Sequence, residues 1–214
     1  MPAPQPRRTP AEYLAFEEAH ERRHEFVAGQ IYAMSGASTP HVILRDNVLV
    51  ALHTRLRGGP CRPYGTDMRV RTPDTEFYTY PDIAVVCGAP AFDEGNSATL
   101  LNPVLLVEVL SDSTEAYDRG EKFAWYQRIP SLREYVLVSQ HETRAECFAR
   151  GEGGAWSVTA AEGPGAVLAL PGVGCALPLA EVYEGAELSP RRRRLRRIRE
   201  PRPAPYARPP GPGG

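Results

Sequence analysis

The stretch "NPVLLVEVLS", residues 102–111, is apolar at almost every position. A sheet with one wet face alternates apolar and polar residues, whereas a continuous run marks a central strand covered on both faces. "YPDIAVVCG", residues 80–88, has the same character. Strands of this kind need layers above and below them, so the chain is expected to build an α/β domain around a mixed sheet. Each run also carries a carboxylate, Asp82 in one and Glu108 in the other.

The flanking sequence supplies the layers. "TPAEYLAFEEA" opens with Thr9 as N-cap, Pro10 at the first helical position and Glu12 three residues after the cap. That is a capping-box start to a short helix. "HEFVAGQIYAMSG" alternates around Gly29 like a hairpin. Val42, Leu44, Val48, Leu49, Leu52 and Leu56 recur at helical spacing, which predicts a long amphipathic helix over about residues 39–57. Three strands are expected next, "CRPYGTDMRVRTP", then the two apolar runs. "STEAYDRGEKFAWYQRIP" reads as a helix ended by Pro130, with Gly120 a weak point inside it. "LREYVLVSQ" is a further strand, and "RAECFARG", "AWSVTAAEG" and "AVLALPG" are shorter ones joined by Gly-rich turns.

Composition sets the outer bounds. At 42% hydrophobic and 24% charged, the 214-residue chain reads as soluble and globular. No apolar run approaches the ~20 residues of a membrane span. The N-terminal stretch lacks the apolar segment of a secretory signal. Cys61, Cys87, Cys147 and Cys175 are scattered without a CxxC pair, which argues against a zinc site or a disulfide framework and suits a reducing cytoplasm. From Arg191 onward nine arginines face one glutamate, a charge of +8, so the net charge of −1 leaves −9 on the rest. The expected division is a folded domain over 1–189 and a disordered Arg/Pro/Gly-rich tail over 190–214. The tail is either an electrostatic arm for a polyanion or a solubilising extension. An acidic body is not the footprint of a strong DNA binder.

The two acids are the functional clue. An isolated ionised carboxylate in a low-dielectric site costs several kcal/mol unless it is paired, protonated or bound to a metal. Asp82 follows Pro81 at a strand start, and Glu108 lies between Val107 and Val109. On neighbouring strands the two would converge at one end of the sheet. Completed by a backbone carbonyl and waters, such a pair suits Mg²⁺ or Mn²⁺. For either acid alone, a hydrogen bond to a turn is the simpler role.

The order of long helix, strand, "PD" strand, acid-containing strand and helix resembles the PD-(D/E)XK nuclease superfamily. Within it the chain is similar to the Uma-two family of restriction-endonuclease-like proteins. "HEFVAGQIYAMSGASTPH", "GTDMRVR", "YPDIAVV", "LLVEVLSDST" and "DRGEKFAWYQRIPSLREYVLV" carry the likeness over about residues 9–185. The resemblance implies a restriction-endonuclease-like mixed sheet flanked by helices, with extra hairpins at both ends. It implies a divalent metal, Mg²⁺ or Mn²⁺, held by Asp82, Glu108 and the carbonyl of Val109, and metal-dependent phosphodiester hydrolysis. Glu25 matches an acid before the hairpin glycine and is expected as a further ligand or beside one. His41, at the start of the long helix, is expected to face the site.

Departures from the motif matter. The superfamily lysine belongs two residues after the second acid, where this chain has Leu110. The resemblance moves that role to Lys122 on the following helix. Lys122 is the only lysine in the chain, and Asp118 and Tyr126 lie four residues to either side of it on the same helix face. The competing reading is a surface ion pair contributing ~0.3–0.5 kcal/mol. Asp67 is expected in a turn or behind the ligands, and Ser139 stands where the family often carries an aspartate. The expected partners are nucleic acid, DNA first, no membrane, and a second copy of the chain. A metal-dependent endonuclease and a non-catalytic binding or regulatory module of the same fold remain the two main functions. A small-molecule metallohydrolase is weaker, because no His-rich ligand set is present.

Overall fold

A computed structural model describes residues 7–188, apart from residues 35 and 95. The Arg-rich tail expected beyond residue 189 lies outside the described residues. In chain order the elements are α1 (Pro10–Glu18), β1 (His24–Val27), β2 (Gln30–Ala33), α2 (Thr39–Leu56), β3 (Cys61–Gly65), β4 (Arg69–Arg71), β5 (Phe77–Thr79), β6 (Ile83–Cys87), β7 (Phe92–Asp93), β8 (Asn96–Leu100) and β9 (Leu105–Val109). After β9 come α3 (Glu115–Tyr117), a π-helical turn (Asp118–Lys122) and α4 (Phe123–Tyr126). β10 (Glu134–Val138), β11 (Arg144–Arg150), β12 (Trp156–Glu162), β13 (Val167–Leu170), β14 (Cys175–Pro178) and α5 (Leu179–Val182) complete the fold.

One mixed sheet was expected, and among the described residues two six-stranded sheets form, with a separate β13–β14 hairpin. The central sheet runs β12-β11-β10-β9-β6-β3, and the second β2-β1-β5-β4-β8-β7. Each is mixed, with one parallel pair, β9/β10 and β4/β8 respectively. The stretch read as one strand over "CRPYGTDMRVRTP" breaks at Thr66–Met68, where Met68 N–H closes a turn onto the Gly65 carbonyl at 3.1 Å. β3 thereby enters the central sheet and β4 the second.

β9 is buried at all five positions, as its continuous apolar run requires. Leu105, Val107 and Val109 pack toward Leu44, Val48 and Leu52 of α2, together with the β13–β14 hairpin and α5. Leu106 and Leu110 point to the other side, against Phe123, Tyr126 and Tyr135. Glu108 shares that second face by the period of two along a strand. The right-handed excursion expected between parallel β9 and β10 is the α3–π–α4 segment, which covers this face.

Caps fix both N-terminal helices. Thr9 and Glu12 form the reciprocal capping box of α1, and Ser38 accepts the His41 N–H at the start of α2. α1 is tied to the second sheet by a buried carboxylate. Glu17 accepts from His24 N–H at 3.1 Å and from Tyr80 Oη at 2.9 Å, and meets His24 Nδ1 at 3.0 Å. The β1–β2 hairpin turns through Ala28 and Gly29, both at positive φ. A side chain at Gly29 would also meet Arg7 Cβ at 2.9 Å.

The cysteine reading needs correction. Cys61 and Cys87 stand directly opposite each other across the antiparallel β3/β6 pair and are disulfide-bonded. Sequence spacing gives no sign of a pair that only strand register creates. The reducing-compartment argument for a cytoplasmic location loses its basis with it. Cys147 and Cys175 are free. Among the described residues, no helix is long and apolar enough to cross a membrane.

Candidate active site

The two acids meet where β6 begins and β9 ends. Antiparallel pairing of Ile83 with Val107 sets Asp82, just before β6, beside Glu108 and Val109. Asp82 is held at both oxygens. Its Oδ2 accepts the Val109 N–H at 2.7 Å, and its Oδ1 meets His41 Nε2 at 2.9 Å. His41 reaches Asp82 from the capped first turn of α2.

Glu108 is the hub of a second group. Its Oε1 accepts from Tyr126 Oη at 2.8 Å and lies 2.8 Å from Lys122 Nζ. Lys122 Nζ is also 3.2 Å from Glu25 Oε1 and 3.7 Å from Asp118 Oδ1. Thr79, on β5, donates to the same Glu25 oxygen. The sequence thus brings Glu25, Asp82, Glu108, Asp118, Lys122, Tyr126 and His41 into one neighbourhood. The Asp118–Lys122 pair is not a surface pair, because the two side chains are 4% and 6% exposed. Asp67 stays apart. Its side chain is 84% exposed in the β3–β4 turn and pairs with Arg23. Leu110, at the usual lysine position, is packed into the apolar cluster beneath Phe123 and Tyr126.

Electrostatics follow from this crowding. Four largely buried carboxylates surround one ammonium and one imidazole. Burial, with Asp118 and Asp82 adding to it against the pull of Lys122, pushes the Glu108 carboxyl up to about 8. Burial also raises Asp118. Burial alone would lower Lys122, but Glu108, Glu25, Tyr126 and Asp118 outweigh it and hold the ammonium charged. Tyr126 is kept a neutral phenol by burial and by Glu108.

Sequence reasoning missed two members. Thr79 sits in "FYT", a three-residue strand without readable periodicity. Tyr117 precedes Asp118, and its hydroxyl lies in the field of Glu25, Lys122, Asp118 and Glu108. No residue pattern marks it; the π turn that follows it, Asp118–Lys122, contains the Gly120 read as a weak point in the helix. Among the described residues, no three His, Cys, Asp or Glu side chains are arranged as a ready metal shell.

A family model described as "Putative restriction endonuclease", that of Uma2, matches residues 10–180. The chain belongs to the Uma2 family. Two uncharacterised Synechocystis proteins are among its relatives. One, slr1290, is 38% identical over 156 residues, 73% of this chain and 81% of its own length. The other, sll1609, is 34% identical over 151 residues, 71% and 85% respectively. The fold matches that of an Anabaena variabilis protein described as a putative nuclease, with TM-score 0.68 and 15% identity over 82% of this chain and 97% of that one. This Uma2 protein therefore has a nuclease-like fold, with its acid cluster at the seam of β6, β9 and the helical crossover.

Proposed function

We propose that this Uma2 chain is a divalent-metal-dependent endonuclease that hydrolyses phosphodiester bonds in DNA. The observation that carries the reading is the surplus of buried carboxylates. Glu25, Glu108 and Asp118 converge on a single lysine, and Asp82 lies beside Glu108, inside a nuclease-like fold. Such a surplus is costly unless a cation joins it.

The donor set fits a hard cation. All the donors are oxygens, which suits Mg²⁺ or Mn²⁺. Asp82, Glu108 and the Val109 carbonyl would hold the ion, with Glu25 as a further ligand. Lys122 now spans Glu108 and Glu25, so loading requires those ion pairs to loosen. When bound, the metal supplies Lewis acidity toward a phosphate oxygen and an acidified water.

The protein's own groups account for the rest. His41 and the Val109 N–H fix the orientation of Asp82. Tyr126 Oη fixes Glu108. Lys122 stays protonated among its acids, so it serves as a hydrogen-bond donor that orients the attacking water or the phosphate and offsets developing negative charge.

A second reading has its own support. Leu110 in place of the motif lysine, and a body charge of −9, favour a non-catalytic nucleic-acid-binding or regulatory module. Calorimetry with Mn²⁺ on wild type and Asp82→Ala separates the possibilities first. Binding by wild type that Asp82→Ala loses is expected. Cleavage assays on single- and double-stranded DNA and RNA follow. Metal binding without cleavage of any of them would leave only the module, and equal Mn²⁺ affinity in both proteins would remove the metal site.

A further inference from the structure

Tyr117 Oη is fully buried and makes no hydrogen bond. Its setting is unusual for an idle phenol. Glu25, Lys122, Asp118 and Glu108 are its charged neighbours. One oxygen of each neighbouring glutamate is already engaged. Glu108 Oε1 takes Tyr126 and Lys122, and Glu25 Oε1 takes Thr79 and Lys122. Burial and the surrounding carboxylates raise this phenol, so it keeps its proton and remains a donor.

Backbone geometry puts it there. In an α-helix, residues five apart lie about 140° round the axis from one another. Residues 118–122 form a π turn, whose i→i+5 bonding brings position 117 to the same side as position 122. π turns of this kind weaken a helix and persist where function uses the side chains they re-aim. Gly120 lies inside the turn with nothing near its Cβ position, so no side-chain packing there demands the distortion. The consequence of the turn is a phenol and an ammonium presented together beside the acids.

A buried hydroxyl without a partner is costly, and it is relieved when an acceptor arrives. A phosphodiester brings strong acceptors in its two non-bridging oxygens. We propose that the Tyr117 hydroxyl positions the substrate, donating a hydrogen bond to a non-bridging oxygen of the phosphodiester held at the acid cluster. This rests on the nuclease reading above.

Tyr117→Phe in the full chain is the test. Removing an unpartnered hydroxyl predicts a thermal midpoint equal to or above that of wild type, and Mn²⁺ affinity unchanged within about twofold. Affinity for a DNA duplex in Ca²⁺, used to populate the complex without turnover, should fall about tenfold or more. Single-turnover cleavage in Mn²⁺ should fall by a similar factor. Wild type should show a near-ultraviolet tyrosine difference signal on adding duplex in Ca²⁺, diminished in the variant. Wild-type duplex affinity and cleavage in Tyr117→Phe would overturn the proposal while leaving the nuclease reading intact. A lowered midpoint with those parameters unchanged would show a hydroxyl bonded within the fold, and also overturn it. A wild-type protein that neither binds duplex nor cleaves would defeat the nuclease reading and this assignment together.

Discussion

Raising the pH should destabilise the metal-free protein, and Glu108→Gln should abolish most of that effect. Glu108 titrates at about 8 in the native state against an ordinary 4.5. Between those values the native state keeps a proton that the unfolded chain has released. The stability contributed by Glu108 is therefore full below about pH 4.5, falls as pH rises through the window, and is lost above about 8. A gap of about 3.5 units at ~1.4 kcal/mol each gives about 5 kcal/mol. That is comparable with the whole stability of a small domain, ~5–15 kcal/mol. Glutamine resembles the protonated acid. It keeps an oxygen for Tyr126 Oη and Lys122 Nζ and carries no charge to desolvate. Urea denaturation in EDTA at pH 5, 6, 7 and 8 is the assay. The wild-type midpoint should slide downward across the series, and the Glu108→Gln midpoint should slide much less. Asp118, raised by burial, titrates in the same direction in both proteins, so the difference profile reports Glu108 together with the neighbours it is coupled to. Parallel profiles would refute the claim that crowding of buried carboxylates loads a proton onto this residue. With Mn²⁺ present the sign reverses, because the ion must displace that proton, and affinity should rise with pH up to about 8.

Other perturbations test neighbouring steps. Lys122→Ala should lose single-turnover cleavage under saturating Mn²⁺ while still binding the ion, since an ammonium does not ligate a cation; a wild-type rate would remove Lys122 from the reaction. Leu110→Lys should cost about 2–4 kcal/mol in denaturant, because it exchanges apolar contacts under Phe123 and Tyr126 for a buried charge. Cys61→Ser with Cys87→Ser should lower stability by about 3.5 kcal/mol, the loop-closure value for a crosslink spanning 26 residues. Glu17→Ala should cost about 3–5 kcal/mol by stranding His24 and Tyr80 in a buried contact, and an unchanged midpoint would show that α1 docks without it.

What the sequence disclosed depended on whether the signal was local. Thr9 marks a helix start because a cap is a four-residue event. β6 and β9 were legible because strands buried on both faces must be apolar throughout, and an acid inside such a run stands out. Five-residue strands next to each other in the sheet then brought Asp82 to Glu108. The second sheet was mostly hidden. β4, β5 and β7 are two or three residues long, too short for any period to show, and only pairing with β1 and β8 defines them. The strand over 61–73 was misread because a turn at Gly65–Met68 moves the chain between sheets without an obvious break in composition. β14 and α5, in "CALPLAEV", gain their burial from α2 and β13 rather than from their own pattern. The Cys61–Cys87 bond and the Tyr117 hydroxyl were invisible for one reason: each is made by backbone register, across a ladder in the first case and through a π turn in the second.

The position of the lysine follows from packing. Glu108 and Leu110 point to the same face of β9, so a lysine at 110 would emerge beneath α4. That space is closed by Phe123, Tyr126 and Tyr135. A leucine there completes the apolar floor that holds the helical crossover against the sheet. With the floor apolar, the cation that meets Glu108 comes from the crossover, where Lys122 reaches it from the end of the π turn. The same contact gives Glu25 a partner on the other sheet. One ammonium therefore joins β9 of the central sheet, β1 of the second and the crossover between β9 and β10. A strand lysine could neutralise Glu108 but would leave the three elements unlinked. Moving the cation to the helix makes the charge state of the site depend on how the crossover packs, so mutations in the floor should disturb the acids without touching them.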